Sequence, residues 1–248
     1  MLEKFAEINK NITDFSEKLL FDAHFHYAVC REFGICDLPD NWQGISCAHS
    51  KQEFEVQNAA PSCVIQSYGM HPQNAANENI KESADFLESL LIKNLISFIG
   101  EAGFDYFTQE FRDAAELQEE IFNIQLELAL KYNKPLVIHC RKANHKLFEY
   151  SKKLNQLPEV LFHSFMGPPV EAKSLLNKEI NGYFSFGKQL LNGNKKTIAC
   201  VRELPPDRVL SETDAPFQFL KGELYTTPSD VKIISTQIVN IQNQRYQN

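Results

Sequence analysis

The chain has 248 residues, 43% hydrophobic and 23% charged, enough to bury the core of one barrel-sized domain or two ordinary ones. A formal net charge of −7 excludes global attraction to nucleic acid, so any polyanionic ligand needs a local basic patch or bound cations. The first residues lack the apolar region of a signal peptide, and no run approaches a membrane helix in length. The six cysteines (Cys30, Cys36, Cys47, Cys63, Cys140, Cys200) include no CxxC pair, so reduced thiols are expected in a cytoplasmic protein with no membrane or obligate protein partner.

In chain order, Leu2, Phe5, Ile8 and Phe15 recur at rough helical spacing, which predicts a short amphipathic helix within an extension over residues 1–19. That helix is expected on the outside or the bottom of whatever follows, with no chemistry of its own. Eight short apolar runs come next: LLFDAHFH, GISCAHS, CVIQSYGMH, ISFIGEAGFD, PLVIHCR, VLFHSF, GYFSFG and RVLSETDAP. Helix-patterned stretches separate most of them; the longest is Arg112 to Asn133, with Leu117, Ile121, Ile124 and Leu128 at helical spacing. No internal repeat or Pro/Gly/Ser linker divides the chain. The pattern predicts one α/β domain over residues 1–248, a (β/α)8 TIM barrel rather than a sandwich.

Unusual polar residues end these runs, and in a (β/α)8 barrel such ends converge on one mouth. Asp22-Ala-His24-Phe-His26 puts two imidazoles on one strand face, because side chains alternate with period two. An HxH alone is a weak metal signal; its place at the end of the first run strengthens it. His49 ends the second run and is taken as non-catalytic, as is His145 at a helix start. His71, beside Pro72, suits either a hydrogen bond to substrate or a structural turn. Glu101 sits in Gly100-Glu101-Ala-Gly103, where glycines allow close approach; its two oxygens suit a carboxylate bridging two ions, against the ordinary fate of an exposed loop acid.

His139 and Arg141 fall on one face of the fifth run, with Cys140 on the other face and read as core. His163 ends the sixth; singly, each imidazole is as easily a buried hydrogen-bonded histidine as a ligand. Arg141, Lys142 and Lys146 make either a phosphate patch or a solvated helix face. Asp214 can bind metal and take a proton from water, while Glu212 on the same face is expected deeper, in support. Gathered at one mouth, six carboxylate and imidazole groups need a cation to avoid repulsion or unmet hydrogen bonding. Phe25, Tyr27, Tyr106, Phe107 and Phe165 flank the ligands, as core or as platforms for unpaired bases.

The segments FDAHFH, GMHPQNA, IGEAGFDYF, PLVIHCRKA, LFHSFMG and LSETDAPF, in this order from Phe21 to Pro216, closely resemble the TatD family of metal-dependent deoxyribonucleases among the amidohydrolase-like barrels. The resemblance implies a metallo-dependent-hydrolase barrel with two divalent ions (Mg, Mn or Zn). His24, His26 and Asp214 would hold one ion, His139 and His163 the other, with Glu101 shared. Asp214 and Glu101 would be the catalytic carboxylates; His71, Arg141 and Lys142 would touch substrate. The implied reaction is hydrolysis of phosphodiesters in DNA, single-stranded or at 3′ ends. The chain departs from the family pattern in its N-terminal extension, in AVCREFGICDLPDNWQG, which lacks the usual helical look, and in the segment after Asp214. Two other readings stand beside it: an amidohydrolase-type enzyme for an amide, lactone or aminoacyl ester, and a non-enzymatic binding barrel. The former often bridges its metals with a carboxylated lysine; here Glu101, and no lysine, ends a predicted strand.

Overall fold

A computed structural model describes residues 1–10, 19–35 and 37–244. All eight apolar runs are strands: β1 (Leu20–Phe25), β2 (Trp42–Ala48), β3 (Val64–Tyr68), β4 (Phe98–Asp105), β5 (Leu136–Arg141), β6 (Val160–Phe162), β7 (Gly182–Phe186) and β8 (Val209–Ser211). They pair in parallel, each with its neighbour in sequence. The seam between β8 and β1 is drawn together by Ser211 Oγ donating to the Phe21 carbonyl (2.9 Å) and by Asp214 N–H donating to the His24 carbonyl (2.9 Å). The chain is a (β/α)8 barrel.

Helices alternate with the strands: α1 (Leu2–Lys10), α2 (Tyr27–Glu32), α3 (Lys51–Asn58), α4 (Ile80–Ile92), α5 (Gln109–Asp113), α6 (Ala115–Tyr132), α7 (Asn144–Glu149), α8 (Ser151–Leu154), α9 (Pro169–Asn177), α10 (Lys195–Glu203) and α11 (Val231–Asn243). One apolar cluster draws on every strand, with Phe21, Ile45, Phe98, Val137, Leu161, Tyr183 and Leu210 buried and Ile65 partly so, and fills the barrel. Leu2, Phe5 and Ala6 of α1 join that cluster, Phe5 lying flat on Phe21 with ring centroids 3.7 Å apart. The N-terminal helix therefore closes the bottom of the barrel. Phe15, assigned to the same stripe, lies outside the described residues.

Two details differ from the sequence reading. The stretch after His26 does form a helix, α2, of six residues. The segment expected as one helix from Arg112 to Asn133 is two, broken at Ala114, and the second buries a face rotated from the expected stripe. Its inner residues are Gln118, Ile121, Phe122, Gln125, Leu126 and Ala129, while Leu117 is exposed. The two glutamines explain the rotation: each meets a backbone amide that would otherwise be unpaired, so a polar side chain faces inward at no loss. Gln118 accepts from Asp105 N–H (2.8 Å) and donates to the Asp105 carbonyl (3.0 Å). Gln125 does the same for Met70, at 2.9 and 3.0 Å. No described helix is long and apolar enough to cross a membrane.

Candidate metal centre

Each polar strand end leads into one cavity of about 650 Å³ at the C-terminal mouth of the barrel. His24 lies within β1 and His26 just past it; His49 follows β2, His71 follows β3, and His163 follows β6. Glu101 and His139 lie in β4 and β5, and Asp214 stands three residues beyond β8. The close approach of β4 to β5 requires glycine at 103, where an added Cβ would stand 1.9 Å from the His139 carbonyl oxygen.

Glu101 is at the centre, and its two oxygens face different partners. Oε2 lies 3.3 Å from His24 Nε2 and 3.6 Å from His26 Nε2. Those nitrogens are 3.2 Å apart, and Asp214 Oδ1 is 3.4 and 3.2 Å from them. Oε1 lies 2.7 Å from His163 Nε2 and 3.3 Å from His139 Nδ1, which are themselves 3.3 Å apart. Ligand atoms held about 2.0–2.1 Å from a tetrahedral cation stand roughly 3.3 Å from one another. The groups thus have the mutual spacing of metal ligands, and two of the possible ligand clusters, His24 with His26 and His71 with His139, share Glu101.

Tautomers agree with that use. His26 Nδ1 faces the Cys47 carbonyl (3.3 Å) and His139 Nε2 faces Asp105 Oδ2 (3.1 Å). Each far nitrogen faces an acceptor and so carries a hydrogen, the orienting hydrogen bond that a metal-binding histidine makes. His24 Nδ1 meets Cys47 Sγ at 3.5 Å, and His163 Nδ1 has Glu212 Oε2 at 3.6 Å. Glu212 is fully buried and accepts from Ser185 Oγ (2.5 Å), beneath the cavity rather than lining it.

His71 is the exception. Its Nδ1 accepts the Gln73 N–H (3.2 Å), so Nε2 carries the hydrogen and points toward Glu101 Oε1, 3.6 Å away. Burial holds its pKa down near 3, which keeps the ring neutral. It is a hydrogen-bond donor facing the cavity, though its position falls within a set of potential ligands with Glu101 and His139.

The buried charges hold one another. Burial opposes ionisation of Glu101, yet His24 and His163 outweigh it and hold the carboxyl well below its ordinary range. Asp214 is lowered against the same penalty by hydrogen bonds from His24 and His26. Burial also opposes charge on His24, but Glu101 lifts it well above an ordinary imidazole; His163 is pushed up to about 10 against burial and the His24 charge, chiefly by Glu101. Opposite charge thus outweighs burial at both carboxylates.

The remaining residues singled out in the sequence divide between the two cavities, the core and the surface. Lys142 is exposed, has a left-handed backbone (φ 59°) and borders a neighbouring cavity, not this one. Arg141 borders both cavities, its guanidinium 3.5 Å over the exposed Phe107 ring. Cys140 is half-buried against the core and also touches both. Phe25 and Phe165 are buried in the core, and Tyr27 and Tyr106 partly so. Lys146 is tied to Glu119 and Glu149.

Others were missed. His49 brings Nε2 to 3.1 Å from Glu101 Oε2 and stacks on His71 at 4.8 Å; only its place at a strand end could have flagged it. Phe217, 45% exposed at the rim, sits edge-on to His26 at 5.2 Å, and Gln218 donates to Asp214 Oδ2 (2.6 Å). Buried Lys188 pairs with Glu223 (2.6 Å) and Asp230 (3.1 Å), tethering the loop that carries both. Asp105 is the other omission: it also accepts from Gln73 (2.8 Å), and it alone fixes the tautomer of His139. Asp105→Asn puts an amide donor opposite that N–H and is expected to weaken cation binding about 10- to 100-fold, read by metal titration. Unchanged affinity would mean His139 is oriented without Asp105.

The family model described as TatD related DNase matches residues 21–248. An uncharacterized metal-dependent hydrolase of Mycoplasma genitalium is 31% identical over 214 residues, 79% of this chain and 80% of that one. A 3′-5′ ssDNA/RNA exonuclease TatD of Cronobacter sakazakii is 34% identical over 216 residues, 85% and 78% of the two chains. In fold, the chain is similar to YJJV, a TatD homolog of Escherichia coli, with a TM-score of 0.76 at 21% identity over 91% of this chain and 95% of that one.

Proposed function

The chain belongs to the TatD-related DNase family of metal-dependent hydrolases, and from that premise we propose that it trims single-stranded DNA from the 3′ end using two divalent cations. The observation that carries this reading is the division of Glu101, one oxygen toward His24 and His26, the other toward His139 and His163. His24, His26 and Asp214 would hold one ion, His139 and His163 the second, and Glu101 both. The mostly imidazole set suits zinc; manganese and magnesium would draw more on the carboxylates and water. Bound cations would acidify water and offset phosphate charge.

The chain's own groups supply the rest. Asp214 turns Oδ1 to the imidazoles and leaves Oδ2, steadied by Gln218, to take the proton as water adds to phosphorus and to return it to the leaving oxygen as the phosphorus–oxygen ester bond breaks. Neutral His71 donates Nε2–H to a phosphate oxygen. Arg141, held against Phe107, offers a charge-assisted contact to a neighbouring phosphate. Among the described residues no lysine lines the cavity, and Lys188 is engaged elsewhere, which disfavours a carboxylated-lysine site for amides or lactones.

Metal-stripped protein repleted with Mg, Mn or Zn singly, and assayed on end-labelled single-stranded DNA beside esters and lactones, tests the reading. Shortening from the 3′ end is expected, with cation uptake saturating at about two per chain. Ester or lactone turnover without DNA cleavage would overturn the substrate, and saturation at one ion would overturn the shared carboxylate.

A further inference from the structure

A second cavity, of about 730 Å³, adjoins the metal cavity and shares Cys140, Arg141 and Met166 with it. Four cationic side chains border it: Arg141 and Lys142 from the end of β5, and Lys195 and Lys196 from the first turn of α10. All four are exposed, and among the described residues none pairs with a carboxylate. That sets them apart from Lys131, Lys146, Lys173 and Lys188, each tied to an acid elsewhere on the molecule. Glu171 is the one carboxylate on the lining, and it is occupied with Asn144 (2.6 Å). In a chain of net charge −7, four unpaired cations at one concavity are a concentrated exception. The start of α10 adds backbone N–H groups, two of which Asn194 already caps.

We propose that this second cavity is a binding site for the phosphodiester backbone of single-stranded nucleic acid, holding the strand several nucleotides from the end that enters the metal cavity. Arg141 borders both cavities, pinned over Phe107, and Lys195 and Lys196 border the second alone, so a strand leaving the metal centre passes from the first to the second. The lysines carry charge without base-reading geometry, so the site grips any sequence. This rests on the nuclease reading in one respect only, that the strand's end lies in the metal cavity.

The test is the Lys195→Glu/Lys196→Glu double variant. Acidic residues are favoured in a helix's first turn, so charge reverses without loosening α10. Binding of a fluorescent strand of about twelve nucleotides is measured by anisotropy in chelator, so that no turnover occurs, across a salt series. The variant is expected to bind roughly tenfold more weakly, and the slope of log affinity against log salt is expected to fall by about 1.4, at about 0.7 per phosphate contact. Hydrolysis of a small phosphodiester by the metal-loaded enzyme is expected to be unchanged. Equal strand affinity and equal slope in variant and parent would overturn the proposal. A parent that binds the strand but cleaves neither it nor the small diester would overturn the nuclease reading instead. Lys195→Gln/Lys196→Gln, with a smaller change in the same direction, separates lost contacts from introduced repulsion; no change in either variant counts against the site.

Discussion

Glu101→Ala is expected to abolish hydrolysis and to leave the protein unable to retain its full complement of metal. All six imidazoles at the mouth, those of His24, His26, His49, His71, His139 and His163, have a nitrogen within 3.6 Å of its oxygens. On the proposed reading, removing it takes a ligand from both sets at once and leaves Asp214 as the one carboxylate among the ligands. Loss of an outer hydrogen-bond partner typically costs 10- to 100-fold, so loss of a shared ligand should exceed about 10³-fold in turnover. Elemental analysis and single-turnover rates read the two effects together. Full metal content with full activity would end the assignment of Glu101 as the bridge.

Asp214→Asn is expected to separate two roles carried by one side chain. Asn keeps the shape and one carbonyl oxygen, so the contacts of Oδ1 with His24 and His26 can be preserved. What it loses is charge and basicity at Oδ2, where Gln218 already donates. General-base loss typically costs 10²- to 10⁴-fold in rate, so turnover should collapse while metal content falls much less. If raising the metal concentration restores the rate completely, Asp214 is a ligand only and the proton goes elsewhere.

The ends of the strands were legible in the sequence because a chemical oddity marks all but the seventh. An imidazole or carboxylate ending an apolar run is costly to bury, so its place in the run already says that something offsets it. His24 and His26 could be read as a pair because strand periodicity fixes their common side. The reading failed where meaning depended on a partner far along the chain. His49 looks like any histidine before a capped helix until Glu101, two strands away, comes to 3.1 Å from it. Asp105 was in view beside Glu101, but its part is set by His139 across β4 and β5. Lys142 lies just past the last residue of β5, where the backbone turns left-handed, so strand alternation says nothing of its side. Phe217 follows Asp214 by three residues, yet its exposure comes from a loop whose course depends on Lys188, Glu223 and Asp230.

Gln118 and Gln125 of α6 are seven residues apart, and each clasps both backbone groups of a residue in a different segment, Asp105 at the end of β4 and Met70 just past β3. Seven residues are two turns, so the two clasps lie on one side of the helix about 10.5 Å apart along its axis. The separation between the segment that presents His71 and the one that aims Asp105 at His139 is thereby measured off by the pitch of a helix. A helix is far stiffer along its length than a loop is, so the gap across the mouth is gauged from behind, and the two segments can shift together but not apart.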